Sequence, residues 1–308
     1  MSALLTAVRA VEIVSDTDFR CAGHSFSVPV PAAVDALQAA LYTHCYTRSA
    51  GPVPAVTGEG DLTAALSAGN PGTSRWVDGW TVIDRLPNGT VGIQRGPLVR
   101  YVQAAEVRAD GKHPGARAST WHPHERTDQP GFYYVFGTAP HDTDPRASLL
   151  RLYWNVTPDG APALVAELAR ALGRFAVPFI FKCLKHRALY PRADAGVLYV
   201  GRRHHRLVCE LAAGVHAKLG GGLGSEVPLF TKPLAPGLGL AEDPGGGESF
   251  GMHRCRLVAE GVWAARGGGP GQRLSSVERR FADAGLDPAR PYLGPLSDDP
   301  YHLPGHAH

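Results

Sequence analysis

A lysine stands where a buried strand should carry none. In the stretch FIFKCLK, Phe179 to Lys185, aromatic and aliphatic residues supply a strand pattern, and alternation puts Lys182 on one face with Ile180 and Leu184. Both faces are apolar, so an unpaired ammonium there is costly, and desolvation lowers its proton affinity until the free amine can serve as a base. The competing reading is a lysine that snorkels to an edge or pairs with a carboxylate such as Asp194.

Other cations fall in similarly inward places. Arg192 and Asp194, in YPRADAGVLYV, sit at the mouth of the next strand, where an arginine can grip a dianion with two parallel hydrogen bonds and an aspartate can orient it. A turn-stabilising salt bridge is the plainer alternative. Arg254 lies in register with Val258 and Val262 near a helix start, whose backbone donors also favour an anion, and His253 beside it could supply a proton. Lys232 is held in the proline-stiffened loop LFTKPLAPG. Four cations, Lys182, Arg192, Lys232 and Arg254, with few matching acids point to a phosphate site. In RLYWNV, Arg151, Tyr153 and Asn155 share one strand face, either as a pocket wall or as a solvated edge.

These residues must be positioned by an α+β fold: an antiparallel or mixed sheet backed by helices, with an N-terminal helical and small β-hairpin region. The order GFYYVFGTA, LLRLYWNVTP, a helix from Ala161 to Arg174, VPFIFKCLK and AGVLYVGRR reads strand, strand, helix, strand, strand. The helix has one apolar stripe through Leu164, Val165, Leu168, Ala171 and Leu172. Upstream, apolar spacing predicts helices over Leu4–Val14 and Ala32–Tyr46, and Asn88-Gly89 marks a hairpin. Arg108 to Pro130, polar and bearing His113, His122 and His124, reads as a boundary loop; its proline-broken HPH lacks the fixed geometry of a metal site. The divisions are therefore 1–125 for the helical and β region, 126–300 for the core, and 301–308 for a flexible tail. Gly220 to Gly251, dense in glycine and proline, reads as a long irregular segment with a functional part. It opens into the helix MHRCRLVAEGVWAA.

Bulk properties narrow the class. The 308 residues carry a net charge of +3 with 31 basic and 28 acidic side chains, too balanced for a general nucleic-acid surface. No apolar run is long enough for a membrane span. The 5 cysteines are dispersed and lack CxxC spacing, which argues against a disulfide framework or structural zinc and for a cytoplasmic protein. GGGLGSE lacks the lysine and hydroxyl of a nucleotide phosphate loop.

The segments LRLYWNVTPDGAPALVAELARAL, VPFIFKCLKHRALYPRADAGVLYV, PLFTKPLAPGLGLAEDPGGGESFGMHRCRLVAEG and RPYL, within Gly131 to Leu293, resemble the HopA-type effector family. Its actinobacterial members occur as the lyase components of class V lanthipeptide and thioamitide biosynthesis. The resemblance implies a phosphoserine/phosphothreonine lyase that works beside an aminoglycoside-phosphotransferase-like kinase. The kinase phosphorylates a precursor peptide, and the lyase eliminates phosphate to leave dehydroalanine or dehydrobutyrine, with no cofactor or metal. The Lys-x-His pair that phosphothreonine lyases carry on a strand has no counterpart in GFYYVFG, which holds Tyr133 and Tyr134. Elimination needs a base, cations for phosphate and an acid for the departing oxygen. On this reading Lys182 is the base; Arg192, Lys232 and Arg254 hold phosphate; His253 and Tyr134 compete as general acid; Arg151, Tyr153 and Asp194 orient the substrate. The alternative is a noncatalytic scaffold that binds the peptide or the kinase; a different phosphate-handling enzyme is the third possibility.

Overall fold

The computed structural model describes residues 2–48, 59–140 and 148–304. The chain begins with helix α1 (Ala3–Arg9) and a three-stranded meander, β1 (Val11–Ile13), β2 (Asp18–Cys21) and β3 (His24–Ser27). Helix α2 (Ala33–Ala40) runs directly into a π-helical stretch, Leu41–Tyr46, and α3 (Thr63–Gly69) follows. Next come β4 (Arg75–Arg85), β5 (Thr90–Arg95), β6 (Leu98–Gln103), β7 (Val107–Ala109) and β8 (Arg117–His122). These five form one antiparallel sheet in the order β6-β5-β4-β8-β7. Strands β9 (Glu125–Arg126), β10 (Phe132–Phe136) and β11 (Leu149–Trp154) lead to helix α4 (Ala161–Arg174). The remainder is β12 (Phe179–Leu184), β13 (Gly196–Gly201), α5 (His205–Leu219), β14 (Lys232–Ala235), β15 (Leu238–Glu242), α6 (Phe250–Ala264) and α7 (Pro270–Asp283).

The centre of the molecule is a seven-stranded antiparallel sheet in the order β14-β15-β11-β13-β12-β10-β9. Alternation along its strands sorts side chains between two cores. Phe179, Phe181, Leu198, Val200, Leu150 and Leu152 face α4 and α5, which answer with Leu164, Val165, Leu168, Val208 and Val215. The opposite face presents Tyr153, Val197 and Ala241 to a layer built from α1, α2, the π-helical stretch, α6 and α7. The N-terminal helices therefore share a core with the last two. Gln38 donates to the Met252 carbonyl at 3.0 Å, and no Cβ could fit at Gly251 against the Tyr46 ring. The five-stranded sheet has a smaller core of its own around Trp80, Val82, Val91 and Ile93. It is tied to the larger sheet where His122 Nε2 meets the Gly137 carbonyl at 2.6 Å.

The α+β class, the strand-strand-helix-strand-strand order and the Asn88-Gly89 hairpin stand as the sequence predicts. Gly89 takes φ 82°, which its missing Cβ permits, and the Asn88 side chain accepts from the Thr90 amide at 3.1 Å. Four expectations need correction. The first helix stops at Arg9, because Val11 and Ile13 pair with Cys21 and Phe19 instead of continuing the coil. Arg108–Pro130 is no bare loop: β8 and β9 run through it, with Thr120 and His122 buried. Gly220–Gly251 contains β14 and β15, and every residue of β15 is buried. The segment from 301 is not a free tail over its described part, since Tyr301 is fully buried with its hydroxyl on Glu242, and Leu303 is also in the core. Residues 305–308 lie outside the described residues.

Candidate functional site

Register decides which polar side chains meet. Lys182 on β12 stands directly opposite Tyr134 on β10 and Val197 on β13. Arg151 on β11 stands opposite Tyr199 on β13. All four polar residues project from the sheet face that carries Tyr153, and the layer of helices covers this face over β11, β13 and β15. At the β10–β12 end, Phe132, Tyr134, Phe136, Ile180 and Lys182 remain half-buried.

The Lys182 ammonium makes no hydrogen bond or ion pair among the described residues. It rests on aromatic faces, with Nζ 4.7 Å from the Phe132 ring centre and 5.6 Å from that of Tyr199. Burial lowers its pKa, Tyr134 and Asp194 oppose that shift, and Arg151 and Arg192 add to it. Tyr134 donates to Gln129 Oε1 at 2.8 Å, and burial raises its pKa while Lys182 pulls it back. Tyr199 is pushed up to about 12, chiefly by burial, and lies under the Arg151 guanidinium at 5.2 Å.

At one end of this cluster Arg192 grips Asp194 with two parallel bonds, Nε to Oδ1 at 2.5 Å and Nη2 to Oδ2 at 2.8 Å. The Tyr42 hydroxyl, brought by the π-helical stretch, accepts from Arg192 Nη2 at 3.2 Å and donates to Asp194 Oδ2 at 3.3 Å. Burial works against the Arg192 charge, but Asp194 and Tyr42 outweigh it and hold the guanidinium protonated. At the other end Arg151 Nε donates to Asp243 Oδ2 at 2.6 Å and Nη2 to the Glu248 carbonyl at 3.2 Å. Nη1 of each arginine makes no hydrogen bond among the described residues. Tyr153 is buried beside them, its ring edge-on to Tyr46 at 6.4 Å.

Lys182, Tyr134, Arg151, Arg192, Asp194 and Tyr153 thus belong to one neighbourhood. Three other residues read as site candidates do not join it. Lys232 pairs with Leu240, which points into the core beneath α4 and α5, so its side chain lies on the opposite face of the sheet. There Asp299 takes its ammonium at 2.7 Å and Tyr292 flanks it. Arg254 does point inward, but its donors are spent on chain carbonyls, Nε on Pro291 at 2.7 Å and Nη2 on Leu293 at 3.0 Å. It is 1 % exposed and offers phosphate no approach. His253 accepts from Arg254 Nη1 at Nδ1, 2.7 Å away, and burial together with that cation pushes its pKa down to about 4. A histidine neutral at physiological pH has no imidazolium proton to give. Its electrostatic neighbours, Arg254, Glu248, Arg256 and Glu260, are not those of Lys182.

Tyr199, Tyr42, Phe132 and Asp243 are the residues that sequence reasoning passed over. Alternation in AGVLYVGRR does put Val197 and Tyr199 on one face, a signal available to inspection. Nothing local marks Tyr42 or Asp243, whose partners lie 152 and 92 residues away. Among the described residues no group of three or more His, Cys, Asp and Glu is placed to hold a metal ion. His124 bonds Ser74 instead, at 2.7 Å. No helix among them is long and apolar enough to cross a membrane. Chemically, the cluster offers one desolvated amine, two arginines with a nitrogen each to spare, and several tyrosine hydroxyls.

A profile of the HopA1 effector protein family matches residues 125–293, the stretch from β9 to the turn after α7. The chain is similar to the solved structure of an effector protein from Pseudomonas syringae pv. tomato strain DC3000, at 18% identity and a TM-score of 0.51. The match covers 84% of this chain and 90% of that one, and shows a shared fold. A second effector, from Pseudomonas syringae pv. syringae strain 61, matches over the same shares at 17% identity and a TM-score of 0.48. No curated protein matches the chain.

Proposed function

The chain belongs to the HopA1 effector protein family, and from that premise we propose that it is a phosphoserine/phosphothreonine lyase acting on a ribosomally made precursor peptide. The observation that carries the reading is the Lys182 amine: half-buried, without hydrogen bond or ion pair among the described residues, held on two aromatic rings and lowered in pKa by burial. Such an amine can take the α-proton of a phosphorylated residue. The Cα–H electron pair then forms the Cα=Cβ bond, the Cβ–O bond breaks, and phosphate leaves with its electrons. The proton stays on Lys182, and no oxidant or reductant is needed.

Arg192 and Arg151 supply the charge that receives the leaving phosphate, through the Nη1 groups that Asp194 and Asp243 leave available. Tyr134, across the strand pair from Lys182, replaces His253 as general acid. Lys232 and Arg254 have no part in the reaction on this reading. The family resemblance adds the setting: class V lanthipeptide or thioamitide biosynthesis in the cytoplasm, with an aminoglycoside-phosphotransferase-like kinase supplying the phosphopeptide.

One observation favours a second reading, a noncatalytic scaffold for peptide or kinase: both site arginines already hold carboxylates, which neutralises much of their charge. The purified protein incubated with a phosphoserine peptide separates the two. Loss of phosphoric acid to give a thiol-reactive dehydroalanine supports the lyase. An unchanged peptide, with kinase activity dependent on this protein, supports the scaffold.

A further inference from the structure

We propose that the cavity beside Arg192 is a subsite for an acidic side chain of the substrate peptide, close in sequence to the phosphorylated position; this rests on the lyase reading above. The cavity, about 430 Å³, opens between the end of β11, the turn before β13 and the chain around Gly224. Three arginines, Arg48, Arg187 and Arg192, line it against a single acidic residue, Glu226. Arg48 pairs with Glu226. The Arg187 partner, Asp159, has a side chain 81% exposed and stands outside the lining, and the Arg192 partner, Asp194, lies on the Lys182 side. Replacing exposed intramolecular partners by a ligand carboxylate costs little, because such surface pairs contribute little.

The floor is fixed. Asn155 donates its side-chain amide to the Glu226 carbonyl at 2.9 Å, and the Gly224 amide donates to the Asn155 carbonyl at 2.8 Å. Pro158, Tyr190 and Pro191 give the rest of the wall an apolar, stiff character suited to a peptide backbone. Arg192 connects this space to the Lys182 cluster. Arg192 and Asp194 lie in the turn before β13, and both act electrostatically on Lys182, so the cavity adjoins that cluster. Arg192 would then touch the phosphate with one side of its guanidinium while Arg48 and Arg187 take the acidic neighbour.

The test uses full-length protein and fluorescent phosphoserine peptides that carry Asp, Asn or Lys at a single position, moved stepwise along the residues before and after the phosphoserine. Anisotropy gives Kd, and mass spectrometry of the same mixtures gives elimination. One of the Asp peptides should bind about threefold to tenfold more tightly than its Asn match, and the Lys peptide more weakly. The Arg48→Gln/Arg187→Gln variant, altered only at exposed side chains, should lose that preference. Equal binding of Asp and Asn peptides by the wild type, or a preference that survives in the variant, would overturn the subsite. The two proposals fail separately: discrimination in Kd without elimination removes the lyase and keeps the subsite, whereas elimination without discrimination does the reverse.

Discussion

Replacing Lys182 with Met separates chemistry from stability. The methionine side chain is close in length and fills the same space over Phe132 and Tyr199. The change removes a cation–π contact of about 0.5–2 kcal/mol and relieves a desolvation penalty of about 1–3 kcal/mol for a partly buried polar group. The two nearly cancel, so the variant should unfold within about 2 kcal/mol of wild type, on the stable side at neutral pH. The sign of the pH dependence follows from the lowered pKa. Between the folded and unfolded pKa values the unfolded chain binds more protons at this site, so wild-type stability rises with pH there. The variant lacks that rise, and its advantage should shrink between neutral pH and about pH 10. Elimination, by contrast, should fall by about 10²–10⁴-fold, the usual contribution of a positioned base. Urea unfolding at the two pH values and mass spectrometry of a phosphopeptide give the two readouts. A folded Lys182→Met protein that eliminates phosphate at the wild-type rate refutes the base assignment.

Arg254→Met should leave the Pro291 and Leu293 carbonyls without donors and cost about 2–5 kcal/mol in urea unfolding, while protein that remains folded keeps its elimination rate. Lys232→Ala should cost about 1–2 kcal/mol through the stranded Asp299 and leave elimination unchanged; a large rate loss in a folded variant would return Lys232 to the site. Tyr301→Ala should destabilise by about 3–5 kcal/mol, because the ring is fully buried and its hydroxyl bonds Glu242; a change below about 1 kcal/mol would restore the free tail.

Local pattern made β10 to β13 and α4 legible, since period-2 alternation and an apolar helical stripe need no distant partner to be seen. The same alternation placed Lys182, Arg151 and Tyr153 on one side of their strands. Register across strands was not legible, and register alone sends Lys232 to the far face through its pairing with Leu240. Arg254 could be recognised as inward-pointing, but its carbonyl partners stand 37 and 39 residues away, and no helical pattern distinguishes a guanidinium that anchors a chain from one that awaits an anion. Strands β14 and β15 are hidden by their composition: glycine and proline read as loop, while tertiary pairing at the end of a large sheet overrides that preference. Tyr42 belongs to a helix whose own sequence says nothing about the Arg192–Asp194 pair it completes.

Removal of phosphate by elimination is read from the mass of a phosphoserine peptide after incubation with the purified chain, without kinase or ATP. A lyase gives loss of phosphoric acid and a product that adds a thiol. A product that has lost only the phosphoryl group, or a peptide left unchanged even with the kinase present, would contradict elimination.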